Sequence, residues 1–297
     1  MNNILLIDDD NDFKEAFQIE AQSKNFNLIH QKSFEGLQKI MPQYHHKIVA
    51  VVLDIKCLLT DEQSIENEKF IGVATKYLDL NFPRFPRIIL TGDDDAFDGY
   101  RKYTDGEYIY QKNPKGFNDA FNKLKYFSDN SEILNLKRAH LSVFDLFEKG
   151  YYDANTEKSL ISVLQNRNEL NFQNFGGILR DVRALQETIY KVINEKNKLV
   201  VPDNKFKQNG MIKFGQLMNH LNGNPNPGNH PDPLHNPCSN IYHNSAIYYL
   251  TNGLYWTSGK YIHADPNESY KISSYTIKSL INNLMELFIW SEQYIKP

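Results

Sequence analysis

The sequence predicts two architectures in succession: an α/β doubly wound parallel five-stranded sheet over residues 1–128, followed by an all-α helical domain over residues 131–297. Three observations predict this. Short apolar runs alternate with amphipathic helical segments as far as about Tyr126. One run, KIVAVVL (Lys47–Leu53), is β-branched and apolar throughout, as a strand buried on both faces must be. From Ser131 the strand signals stop and only helical periodicity continues.

Each element follows from local chemistry. Asn3–Ile7 is an apolar run ending in three acids, a buried first strand. Asp12–Ser23 spaces Phe13, Ala16, Phe17 and Ile19 for one helix face. Phe26–His30 reads as the second strand, Phe34–Met41 as a short helix and Lys47–Leu53 as the third strand. Residues 62–80 are predicted as a longer helix with Ile65, Phe70, Ile71, Ala74 and Leu78 inward. Pro83 and Pro86 interrupt the chain before the fourth strand, Arg87–Thr91. A helix over Asp94–Tyr103, a strand over Glu107–Gln111 and a helix opened by Pro114 complete the first domain. Right-handed crossovers then bring all five strands into one parallel sheet.

In the second half, Glu132–Lys149 and Thr156–Leu170 are predicted helices. Gln173–Lys198 carries Ile178, Val182, Leu185, Ile189 and Val192 at spacings of 4, 3, 4 and 3. That stripe serves either a bundle core or a homodimer seam, and its length of barely two heptads favours the core. Met211–Leu221, Ile241–Tyr255 and Ser273–Tyr294 close the chain as helices. Residues 222–240 form a long loop rich in Asn, Pro, Gly and His. The boundary between the domains is expected near SDNS, Ser128–Ser131.

Composition excludes several classes. Charged residues make up 23% and hydrophobic residues 41%, a globular balance. Apolar runs fall far short of the roughly 20 residues of a membrane span. The start, MNNILLIDDD, lacks the basic residues and long apolar stretch of a secretory signal, so a cytoplasmic location is expected. Two cysteines, Cys57 and Cys238, give neither a disulfide framework nor a CxxC metal site. Residues 1–130 carry net charge −5 and residues 131–297 net +2, so neither half has the basic excess of a DNA-binding domain, and nucleic acid stays an open partner.

The chemistry is expected at strand ends. Asp8 and Asp9 follow the first strand, Asp54 ends the third, Thr91 the fourth, and Lys112 the fifth. In a parallel sheet these ends share one edge, where ligands bind. Three carboxylates gathered there repel unless a cation joins them, and Mg²⁺ takes hard oxygen ligands of this kind.

LLIDDD (Leu5–Asp10), VVLD (Val51–Asp54), IILTG (Ile88–Gly92) and QKNP (Gln111–Pro114) together resemble a response-regulator receiver domain of two-component signalling, a flavodoxin-like fold. The resemblance covers under half the chain. It implies a phosphorelay phosphoprotein in which Asp54 is the phosphoacceptor, with a sensor histidine kinase or phosphotransfer protein as donor. Asp8, Asp9, Asp54 and the backbone carbonyl of Lys56 would hold Mg²⁺, while Thr91 and Lys112 would meet the phosphoryl oxygens. The sequence departs from the family's pattern after Asp54, where IKCLLTDEQS replaces the usual Met-Pro and Gly and the segment before Thr91 is longer. The aromatic switch position, three residues before Lys112, is Ile109, flanked by Tyr108 and Tyr110. A receiver-like domain without phosphorylation, acting as a protein-interaction adaptor, is the alternative.

Three weaker patterns stand beside this one. Haloacid-dehalogenase-type phosphatases place a DxD after the first strand, as Asp8 and Asp10 stand here, but they leave Asp54 unexplained. Ser258–Asn267 is similar to part of helical HEPN-type domains, several of which are RNases using Arg and His four to six residues apart. His263 is present, but Thr257, Ser258 and Gly259 occupy the Arg positions. That resemblance implies a helical RNA-binding or RNase effector gated by the first domain. His220, His230, His235, Cys238 and His243 surround the long loop at spacings of 10, 5, 3 and 5, which match no zinc pattern. No other catalytic motif stands in residues 131–297.

Overall fold

The computed structural model describes residues 2–103, 108–223, 240–262 and 272–297, with backbone alone at Tyr103 and Ile262. Glu107, most of residues 222–240 with His230, His235 and Cys238, and His263 lie outside the described residues, so the loop expected there is not among them. The chain divides into two compact units, Met1–Arg138 and Ala139–Pro297.

The first unit holds five parallel strands in the order β2-β1-β3-β4-β5. They are β1 (Asn2–Ile7), β2 (Phe26–Gln31), β3 (Ile48–Leu53), β4 (Arg87–Thr91) and β5 (Ile109–Gln111). The helices between and after them are α1 (Asn11–Ser23), α2 (Phe34–Tyr44), α3 (Phe70–Asn81), α4 (Asp94–Tyr103), α5 (Pro114–Asp129) and α6 (Ser131–Ala139). Strand alternation sends side chains to two cores. Leu5, Ile7, Val51, Leu53 and Ile89 pack with Leu37 and Met41 of α2 and Phe70 and Ala74 of α3. Ile4, Leu6, Ala50, Val52 and Leu90 pack with Phe13 and Phe17 of α1 and Phe121 and Leu124 of α5. Both faces are covered, which is why Ile4–Ile7 of β1 and all of β3 are apolar without a break.

Helix starts are set by short polar side chains. Asp10 caps α1, its carboxylate accepting from the backbone N–H groups of Asp12 and Phe13. Ser33 caps α2 by accepting from Gly36, and Asn113 caps α5 by accepting from Gly116 at 2.8 Å. Gly116 is required there: a Cβ would stand 2.1 Å from the Gln111 carbonyl oxygen. Gly116→Ala is therefore expected to destabilise the first unit by about 1–3 kcal/mol, read from urea denaturation, because backbone cannot yield as a flexible side chain can. An unchanged midpoint would show that the β5–α5 turn relaxes freely.

Several expectations shift on contact with the fold. Residues 62–69 are not helical, and Ile65 is exposed. Instead Cys57 bridges Asn67, and α3 begins only at Phe70, whose N–H is accepted by Asn67. Ile19 is exposed because α1 buries Phe13, Phe17 and Ala21, a narrower stripe. The predicted helix over Glu132–Lys149 breaks at His140 into α6 and α7 (Leu141–Glu148). Helix α6 lies within the first unit, where Leu134 packs on the α1/α5 core and Arg138 stacks 4.3 Å from the Phe85 ring centroid. The unit boundary thus falls at Arg138/Ala139, beyond the SDNS segment.

The second unit is helical among its described residues. It contains α7, α8 (Ala154–Gln165), α9 (Phe172–Lys196), α10 (Phe214–Leu221), α11 (Ser245–Ile262) and α12 (Ser274–Ile295). Helix α9 packs on α11 and α12, burying Ile178, Val182, Leu185 and Ile189. The stripe is core within the unit itself; its last buried member is Ile193, with Val192 only half-buried. Tyr152 and Ser291 share a buried 2.6 Å hydrogen bond between hydroxyls. No helix among the described residues is long and apolar enough to cross a membrane.

Candidate functional site

Register brings the carboxylates together. β1 pairs with β3 so that Ile7 faces Leu53, and the Asp54 N–H donates to the Ile7 carbonyl at 3.1 Å. Asp8 and Asp54 are therefore neighbours at the carboxyl ends of the two central strands. Lys112 reaches both: its Nζ stands 2.5 Å from Asp54 Oδ2 and 2.8 Å from Asp8 Oδ2. The three side chains are 1%, 13% and 12% exposed for Asp8, Asp54 and Lys112. The ammonium also lies 4.1 Å from the Phe13 ring centroid, a cation–π contact that shields it further.

The electrostatics follow from burial. Desolvation pushes the Asp8 carboxyl up to about 7; Lys112 opposes this and Asp54 adds to it. Asp54 is raised for the same first reason, with Lys112 again opposing. Burial works against the charge on Lys112, but Asp54 and Asp8 outweigh it and hold the ammonium charged above its ordinary range. Two deep carboxylates thus share one cation.

The other predicted residues are placed around this centre. Thr91 is buried at the end of β4, and its Oγ1 accepts from the Asp93 N–H at 3.2 Å. Its carbonyl accepts from the Lys112 N–H at 2.7 Å, joining the ends of β4 and β5. Glycine is not required at position 92, since a Cβ there would make only ordinary contact with the Lys112 Cδ at 3.7 Å. Asp9 is half-buried next to Asp8. The side chain of Lys56 pairs with Asp93 at 2.8 Å and approaches Glu68 at 3.7 Å.

Three participants escaped the sequence reading. His30 on β2 contacts the Asp8 carbonyl through Nε2 at 2.7 Å, bracing the backbone that carries the first carboxylates. Asp93 anchors Lys56 from the loop after β4. Glu66 stands near enough to Asp9 and Asp54 that both add to the upward shift that burial gives its carboxyl. Nothing local marks Glu66, because its position depends on how the loop after Asp54 is tied down. Phe34 and Glu35 N–H groups donate to Leu58 and Leu59 carbonyls, and Ser33 Oγ donates to Asp61 at 2.5 Å.

The donor chemistry is of the kind a hard cation such as Mg²⁺ takes. Asp8, Asp9 and Asp54 offer hard carboxylate oxygens in excess of the single ammonium, and two of the three are nearly buried, so a dication would offset a real charge imbalance. Among the described residues no three or more His, Cys, Asp or Glu side chains are grouped as a metal site, so any such ion would draw most of its ligands from water and substrate.

The remaining motifs resolve into structural parts. Asp10 is exposed and committed to capping α1, which removes it from the DxD reading. Ile109 packs with the α2/α3 core and Tyr110 with the α1/α5 core, so alternation faces them oppositely. Tyr108 is exposed, with Lys123 Nζ 3.6 Å from its ring centroid. A cleft of about 530 Å³ lies beside Tyr108, Tyr110, Phe97 and Arg101, away from the Asp54 centre. His243 is fully buried 4.5 Å from the Trp290 ring, and burial pushes it down to about 3. His220 stacks on Tyr242, with Nε2 3.2 Å from the Leu199 carbonyl. Both are core histidines. Cys57 is buried, and desolvation pushes its thiol upward, so it is no nucleophile.

No protein-family model matches the chain, and no curated protein matches it.

Proposed function

We propose that the first unit accepts a phosphoryl group on Asp54 in a magnesium-dependent phosphorelay, as a receiver-like domain does, and that the helical second unit is its output. The observation that carries this reading is the placement of Lys112 Nζ between Asp54 and Asp8 at the carboxyl edge of a parallel sheet. A carboxylate with a cation already beside it and a second carboxylate behind it is arranged for anion transfer rather than for packing.

The step is in-line displacement. An Asp54 carboxylate oxygen attacks phosphorus; the bond to the donor's leaving atom breaks, and the leaving group departs with the electron pair. With a phosphohistidine donor the leaving atom is an imidazole nitrogen. Mg²⁺ would be held by Asp8, Asp9, Asp54 and the Lys56 carbonyl, and when bound it neutralises charge on the phosphoryl oxygens. Lys112 pairs with the same oxygens, and the Thr91 hydroxyl supplies a donor from β4. The product carries nearly two negative charges where the free carboxylate carried one, and these draw Lys112 and Thr91 and thereby bias the β4 and β5 ends. With Ile109 at the usual aromatic position, the read-out runs through other side chains of that face.

The full chain incubated with magnesium and a small-molecule phosphodonor is expected to gain one phosphoryl group by intact mass, and Asp54→Asn to gain none. Equal gain by both proteins would remove Asp54 as the acceptor and this function with it.

A further inference from the structure

At the opposite edge of the sheet, where strands begin rather than end, lies a pocket of about 200 Å³. Asn2 contributes from the start of β1, His46 and Lys47 from the turn before β3, and Ser131, Asn135 and Arg138 from α6. No carboxylate lines it, although the first 130 residues carry net charge −5. This is a local reversal of sign.

Arg138 is the central feature. Its guanidinium is half-buried on the Phe85 ring, 4.3 Å from the centroid. One terminal nitrogen, Nη2, donates to Asn135 Oδ1. The other, Nη1, is buried with no acceptor. An arginine stays charged under such conditions, and a buried cationic donor without a partner is costly. Asn135 spends its acceptor on Arg138 and keeps its amide NH₂ to donate. Lys47 is held in place through its carbonyl, which accepts from Asn3 at 2.9 Å, while its ammonium pairs with no acid among the described residues. The groups that converge here are mainly donors, and the ligand they lack is an acceptor.

We propose that this pocket is a binding site for a small oxyanion, a phosphate or a carboxylate, held by Arg138 and Lys47 with Asn135 as a neutral donor. Turning the guanidinium fork toward the cavity gives Nη1 an anionic oxygen, and a fork matches two oxygens of one phosphate or carboxylate. The volume lies below the roughly 300–1,000 Å³ of pockets that take drug-sized ligands, so a bare oxyanion or a very small acid fits and a nucleotide does not. Because α6 supplies three of these side chains and the starts of β1 and β3 supply the others, the anion would fasten α6 to the sheet.

The test separates this site from the Asp54 centre by using the full chain as Asp54→Asn, free of divalent cations. Inorganic phosphate and acetate are titrated in separate arms, with chloride at matched ionic strength to subtract screening. At least one oxyanion is expected to bind and raise the melting temperature above the chloride baseline; which arm responds tells phosphate from carboxylate. Arg138→Gln and Lys47→Gln, each added to that background, are expected to weaken binding about tenfold. No response beyond chloride in either arm, or binding unaltered in the variants, would overturn the site. Lys47 is exposed, so Lys47→Gln decides the matter even if Arg138→Gln fails to fold.

Discussion

Replacing Lys112 by methionine is expected to destabilise the first unit by about 3–5 kcal/mol near neutral pH, because the two buried acids lose their cation and must either stay charged against each other or take up protons. Methionine keeps an unbranched apolar stem against Phe13, so the loss reports the charge and not a cavity. The same change in an Asp54→Asn background is expected to cost markedly less, since only Asp8 remains uncompensated. Urea denaturation of the four proteins closes the cycle. Additive costs would mean that Lys112 does not bridge the two acids in solution. Phosphoryl gain is expected to collapse in Lys112→Met alongside the stability.

The second large effect is a dependence on pH that magnesium opposes. Asp8 titrates at about 7 folded against 3.8 unfolded, so between those values the folded state holds more protons. Without divalent cations, stability therefore rises as pH falls through 7 and is lowest above it, by up to about 4 kcal/mol from this one group. Asp54 shifts in the same direction and adds to the slope. Mg²⁺ binds the ionised carboxylates and competes with those protons, so its stabilisation is expected to be larger near pH 8 than near pH 6. Urea midpoints with EDTA and with magnesium at both pH values check this. A midpoint in EDTA that climbs with pH would show that Asp8 is ionised throughout and that the buried charge is fully met by Lys112.

The site was legible where chemistry coincides with strand ends. Asp8, Asp54 and Lys112 each follow a strand and Thr91 ends one, and a parallel sheet must bring such positions to one edge. Asp9 and Lys56 follow the same rule, although Lys56 turns its side chain to Asp93. Glu66 and His30 were not legible. Glu66 lies in a loop whose path is fixed by Asn67 and by the Ser33–Asp61 hydrogen bond to the start of α2, contacts that no local pattern around Glu66 announces. His30 acts through a backbone carbonyl, which no side-chain pattern announces.

The same division runs through the fold. Alternation and β-branched runs determined the five strands and their covered faces, because period and burial are written into side-chain order. The stripe on α9 likewise announced a buried helix. Tertiary contacts alone decided that residues 62–69 stay out of helix α3, that His140 ends the first unit's last helix, and that Leu134 and Arg138 carry α6 onto the sheet. Those outcomes turn on partners far away along the chain. Local propensity fixes what a segment can become, and the energy of long-range burial selects among the choices.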